Sequence, residues 1–116
     1  TPMPELKKKT VELFNNQWAH LQGLIQKYPT NAMLLNTAAW LGALCNYELE
    51  LCRQYSHRSV DSSSSAAAYD TMSEIYSRLN RPKEAMQYIE KAISIDKLEP
   101  FYKKRLKNLK DALNKK

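Results

Sequence analysis

Cys45, Cys52 and His57 are the side chains of this sequence best suited to covalent or metal chemistry, and their spacing serves neither. The two cysteines stand seven residues apart, which is not a C-x-x-C arrangement, and no second cysteine pair exists to complete a zinc site. His57 follows Cys52 by five residues. A nucleophile and its base must meet within hydrogen-bond reach, with a third group to orient the base, and nothing here signals one. His20 is distant in sequence and reads as a helix-surface or half-buried imidazole. The run Ser62–Ser65 has no Gly-x-Ser-x-Gly frame and no phosphate-cradling glycines, so it reads as a loop between helices. No pair of carboxylates stands out as general acid and base, and Glu84, Glu90 and Lys91 read as solvated helix faces. The chain is therefore read as non-enzymatic, with no catalytic residue, metal ligand or cofactor site. Whether Cys45 and Cys52 pair stays open, and two thiols do not decide a compartment.

The elements that carry these residues are all helical. A chain of 116 residues with 43% hydrophobic content fits one domain, residues 1–116. It holds only two Gly, and no run of eighteen apolar residues is present to span a membrane. No signal peptide is visible, but the chain begins Thr-Pro-Met-Pro and reads as an excised piece of something longer, so localisation stays unknown. Charge is uneven. Residues 1–96 carry ten basic and ten acidic side chains, whereas residues 97–116 carry eight basic and two acidic ones. The whole excess of +6 thus sits on the last helix, as a solvated outer face or as a surface for polyanions.

Apolar periodicity places six helices. Residues 5–27 carry Phe14, Trp18, Leu21, Ile25 and Tyr28 at spacings of 4, 3, 4 and 3, one apolar stripe. Asn31 is the expected N-cap of a second helix reaching about Cys45. Asn46 marks a turn, and a third helix covers about 48–60. Asp61 and the serines form a loop, with Ser65 capping a fourth helix at 66–79. Pro82 opens a fifth that lasts to Ile95. The sixth, 99–114, carries Tyr102, Leu106, Leu109 and Leu113 on one stripe. No segment alternates with period two long enough to argue a strand.

Within this frame residues 66–99 run Tyr69-x-x-Met72-Ser73-x-x-Tyr76, then Ala85-x-x-x-Ile89-x-x-Ala92. This resembles the tetratricopeptide repeat, W-x2-L-G-x2-Y…A-x3-F, in which small residues let two helices cross closely while large apolar ones fill the sides. The closing proline is absent, Lys97 standing in its place. Residues 33–65 are similar to an earlier, degenerate copy at an offset of 33, with Asn36-x-x-Ala39-Trp40-x-x-Ala43 in the first helix and Cys52, Ser56 and Ser59 in the second. On that register Trp40 is expected between the units, where truncation to Ala would cost about 3–5 kcal/mol. The implied fold is an all-α, antiparallel helix-hairpin superhelix. Residues 5–27 form a preceding unit's remnant or a cap, and the basic residues 99–116 form a C-terminal capping helix.

The resemblance also implies a function. In that family the first helix of each unit lines a concave groove that takes peptides. Here those positions would be Ala67, Asp70, Thr71, Glu74, Ser77 and Arg78 in one unit, and Leu34, Thr37, Ala38, Leu41 and Leu44 in the other. The lysine–asparagine–arginine clamp by which some members hold a C-terminal carboxylate is missing, and Asp70 and Glu74 would repel one. The expected function is a non-catalytic protein–protein interaction scaffold, its partner a protein or peptide with a basic or polar segment. Two alternatives are binding of nucleic acid or anionic membrane through residues 97–116, and a structural cap on a missing domain. Oligomeric state is left open.

Overall fold

A computed structural model describes residues 3–115, in which six α-helices follow one another: α1 Met3–Lys27, α2 Ala32–Leu44, α3 Leu49–Ser62, α4 Ala66–Arg78, α5 Pro82–Ile95 and α6 Pro100–Asn114. Their starts follow from local chemistry. Asn31 accepts from the Leu34 amide at 3.0 Å and Ser65 from the Ala68 amide at 3.1 Å, each satisfying a donor that the first helical turn leaves free. Pro82 opens α5, where its missing N–H is no loss. Glu99 caps α6 by accepting from the Phe101 amide. α3 runs two residues further than expected, so the polar loop before α4 is only Ser63–Ser65.

Helices α2 and α3 form one antiparallel hairpin and α4 and α5 another. The first helices are both 13 residues long, the second both 14. Each hairpin turns at an asparagine with positive φ, Asn46 at 51° and Asn80 at 64°. After each, the next amide reaches back to a carbonyl in the last turn: Tyr47 to Gly42 at 2.8 Å, Arg81 to Tyr76 at 2.9 Å. This is the usual left-handed exit from a helix. The two turns differ by one residue. Glu48, also at φ 51°, is extra in the first.

That extra residue corrects the register. Ala32 corresponds to Ala66, 34 residues on, whereas Leu49 corresponds to Pro82, 33 on. The partners of Tyr69, Met72, Ser73 and Tyr76 are therefore Leu35, Ala38, Ala39 and Gly42, all buried, rather than Asn36, Ala39, Trp40 and Ala43. Trp40 is only half-buried and belongs to neither buried cluster, so its indole is not the fully buried one expected.

Two cores result. The first joins Leu21 and Ile25 of α1 to Leu35, Ala38, Ala39 and Ala43 of α2, Cys52 and Tyr55 of α3, and Ile75 of α4. The second joins Met72 and Tyr76 to Ala85, Ile89, Ala92 and Leu109 of α6. α6 turns Tyr102, Leu106 and Leu109 inward. Lys103, Lys107 and Lys110, at spacings of 4 and 3, share its solvent face. Both thiols are free: Cys45 is exposed, and Cys52 is buried beside the Tyr47 carbonyl at 3.4 Å.

Candidate functional site

Asp70, Glu74 and Arg78 recur every four residues and so stand in line along α4. α6 meets this line with one arginine. Arg105 Nε donates to Asp70 Oδ1 at 2.9 Å and its Nη1 to Glu74 Oε1 at 3.0 Å. Arg78 Nε donates to the other Glu74 oxygen at 2.9 Å, and its Nη1 reaches Asn46 Oδ1 at 3.1 Å. The network thus ties α4 to α6 and to the first hairpin's turn. These groups are mostly shielded, Arg105 being 13% and Asp70 14% exposed, so salt screens the pairs less than surface ones while desolvation offsets part of their attraction. Burial pushes the Asp70 carboxyl above its usual range, and Arg105 offsets this only in part. Burial acts on Glu74 too, but Arg105 and Arg78 together hold it below the usual value.

Between the two helices lies a cleft of about 360 Å³, lined by Glu74, Ser77, Phe101, Lys104, Arg105 and Asn108 among others. Phe101 is 54% exposed, with the Arg105 guanidinium 5.6 Å from its ring centroid. Lys104 and Asn108 are exposed and, among the described residues, make no side-chain hydrogen bond or ion pair with the protein. A larger cleft of about 890 Å³ opens between α1 and α3 beside Trp18, Gln22 and Tyr55. There the Tyr55 hydroxyl already donates to Gln22 and Arg58 to the Pro29 carbonyl. The α4–α6 cleft combines exposed polar, cationic and aromatic groups on one wall, which makes it the better recognition surface.

The expected groove residues scatter. Asp70, Glu74 and Arg78 belong to one network, and Ser77 and Glu74 line the cleft. Thr71 does not: it is buried, its hydroxyl bonded to the Ala67 carbonyl, because one residue beyond Asp70 the helix already faces the interior. Ala38 is buried, and Leu41 and Leu34 are half-buried against the first core. Thr37 is exposed on α2. By the corrected register the place of Glu74 is taken on α2 by Trp40. Sequence reasoning placed Phe101, Lys104 and Arg105 only within the basic stretch 97–116, not in a groove with α4, and did not single out Asn108. One signal was present: Arg105 is the only arginine among the seven lysines of residues 97–116, and arginine is the cation suited to shielded, multidentate pairing.

Elsewhere the candidate chemistry is occupied. Burial raises the Cys52 thiol to about 11, so it is not a thiolate at neutral pH. His57 does not face it; its Nε2 is hydrogen-bonded to the Tyr76 hydroxyl at 2.7 Å. Among the described residues no three His, Cys, Asp or Glu side chains gather as metal ligands. No helix among them is long and apolar enough to cross a membrane.

Residues 66–97, which hold α4 and α5, match the family model of the tetratricopeptide repeat. No curated protein matches the chain. Repeats of this family generally mediate contacts between proteins and are typically non-catalytic.

Proposed function

We propose that this chain, built around the tetratricopeptide repeat at residues 66–97, is a non-catalytic scaffold that holds an extended segment of a partner protein along α2, α4 and α6. On this reading the α2–α3 hairpin is a second unit of the stack, and α6 is at once its cap and one wall of the binding cleft. The observation that carries it is the α4–α6 cleft. Its two carboxylates already hold arginines of the same chain, while Phe101 stays more than half exposed and Lys104 and Asn108 face solvent without a side-chain partner among the described residues. A basic segment finds no free carboxylate there. The partner segment that fits is polar, offering oxygen acceptors to Lys104 and Asn108 and an apolar side chain to Phe101.

The test is site-specific photo-crosslinking in lysate, with the reactive residue placed at Ser77 and, as a control, at exposed Lys83. Capture of a protein from position 77 but not 83, lost in the Phe101→Ala/Lys104→Glu double variant, supports the cleft. Equal capture from both positions, or capture that the double variant does not change, removes the cleft from consideration. Retention of nucleic acid that disappears only with Lys103→Glu/Lys107→Glu/Lys110→Glu would move the function to the outer face of α6.

A further inference from the structure

Helices α2, α4 and α6 start at Ala32, Ala66 and Pro100, 34 residues apart each time. The match holds in the interior, where Leu109 takes the place on α6 that buried Ile75 takes on α4. Equivalent residues therefore form rows across the three helices. One row is Met33, Ala67 and Phe101; two turns further along comes Trp40, Glu74 and Asn108. Glu74, Phe101 and Asn108 all line the α4–α6 cleft, so both rows belong to its face.

The first row is apolar and open. Met33 is 73% exposed and Phe101 more than half, and Ala67 between them is exposed as well. Ala67 stays open although α2 packs on α4 and α6 is tied to it, so the exposure belongs to this face and not to one end of the stack. Two long side chains with a methyl between them leave a notch. Beside it a cavity of about 290 Å³ opens between α2 and α4, its lining including Met33, Asn36, Ser63 and Ala67. Asn36 Oδ1 is buried there with no hydrogen-bond partner among the described residues, an acceptor that an entering donor would satisfy. Charge differs along the row. From Tyr28 to Tyr47 the chain carries no charged residue, so α2 offers an ion no partner of its own. On α6, Lys104 stands one turn from Phe101, exposed and without an ion pair among the described residues.

We infer that the notch over Ala67 seats a bulky apolar side chain of an extended partner segment, and that an acidic side chain three residues away meets Lys104. The inference rests on the reading of this face as the binding surface. Helix spacing sets the interval. Packed helices lie about 8–10 Å apart, and a segment in the polyproline II conformation brings the same face round every three residues, about 9 Å. A residue seated on α4 is thus matched by one over α6. The apolar residue belongs at the α2 side because a charge there would lose its water for nothing, and the acidic one at Lys104 because that cation is unspent. A second copy of this chain suits the row poorly. A stable pair takes about 800 Å² from each partner, and three side chains offer only a fraction of that.

The probe is a library of short random peptides displayed on phage and selected against the immobilised full chain, the enriched peptides then being labelled and titrated by fluorescence anisotropy. They should share a large apolar residue with Asp or Glu three positions away. Ala67→Arg and Met33→Glu, both at exposed positions outside the cleft lining, should leave the melting temperature unchanged and each weaken binding by about tenfold. Lys104→Glu should turn the preference at the acidic position to basic and leave the apolar one as it was. Enriched peptides that lack this spacing, or that are indifferent to both Ala67→Arg and Met33→Glu, overturn the inference. If such peptides still depend on Phe101 and Lys104, the cleft reading survives without it. An empty selection overturns it as well, and so does sedimentation showing self-association that Ala67→Arg abolishes, because a second copy would then fill the notch.

Discussion

The two hairpins solve one packing problem in opposite ways. Where α4 and α5 cross, Ser73 keeps the helices close and fastens them, its hydroxyl donating to the Ala85 carbonyl at 2.7 Å in the interior. Where α2 and α3 cross, closeness comes from removing a side chain. A Cβ on Gly42 would lie 2.3 Å from the Cys52 sulfur, and 3.0 Å from both Trp18 and the Tyr47 carbonyl. The aromatic that α4 supplies itself as Tyr76 is absent from α2, and its volume is filled from outside by Trp18 of α1 and Tyr47 of the turn, whose rings meet edge to face at 5.3 Å. In the second hairpin Tyr76 and Tyr88 stack at 5.2 Å, with His57 of α3 edge-on to both. The first hairpin therefore borrows a large aromatic from α1, whereas the second supplies both of its stacked tyrosines itself.

The largest effect should come from that borrowed aromatic. Trp18→Ala, although outside the hairpin, is expected to lower stability by about 3 kcal/mol in urea unfolding, and a loss under about 1 kcal/mol would end the dependence argument. Gly42→Ala follows at about 2 kcal/mol, because the sulfur it strikes is itself fully buried. Cys52→Ala in the same chain should recover part of that loss, and strict additivity of the two would mean the sulfur is not the obstacle. Ser73→Ala should cost only about 1 kcal/mol, since it removes one hydrogen bond and leaves the close approach intact. Glu48→Gly should add somewhat under about 1 kcal/mol by relieving a left-handed glutamate; a neutral or negative result would show that the turn is unstrained.

The smallest effect is one of pH. Burial, and then Arg53, keep the His57 pKa below its ordinary 6.5. A histidine so depressed binds fewer protons folded than unfolded, so its contribution is whole above pH 6.5 and fades as pH falls through that value toward the folded pKa. Unfolding midpoints on either side of 6.5 should differ accordingly, and His57→Gln should flatten the difference.

Helix positions were legible because each is announced locally. Stripes at spacings of three and four, Asn31 and Ser65 as caps, and Pro82 as an opener all act within a few residues. What was not legible acts at a distance or leaves no mark. Glu48 shifts α2 by one residue against α4, and nothing about a glutamate announces that it is the extra one. With that slip, Trp40 was assigned to the interior and Gly42 overlooked. Arg105 finds Asp70 across 35 residues, a pairing that exists only once α5 has brought α6 back beside α4. Asp70 and Glu74 thus read as free carboxylates when they are the inner half of a network.

The same arginine sets a dimension. It joins α4 and α6 by a side chain of fixed reach, with a planar fork at its end. Arg105 therefore works as a spacer, and the aperture beside Phe101 and Ser77 is gauged by the length of one residue. Shortening it to lysine would trade the fork for a single point of attachment, leaving the two walls free to slide past each other at little change in charge.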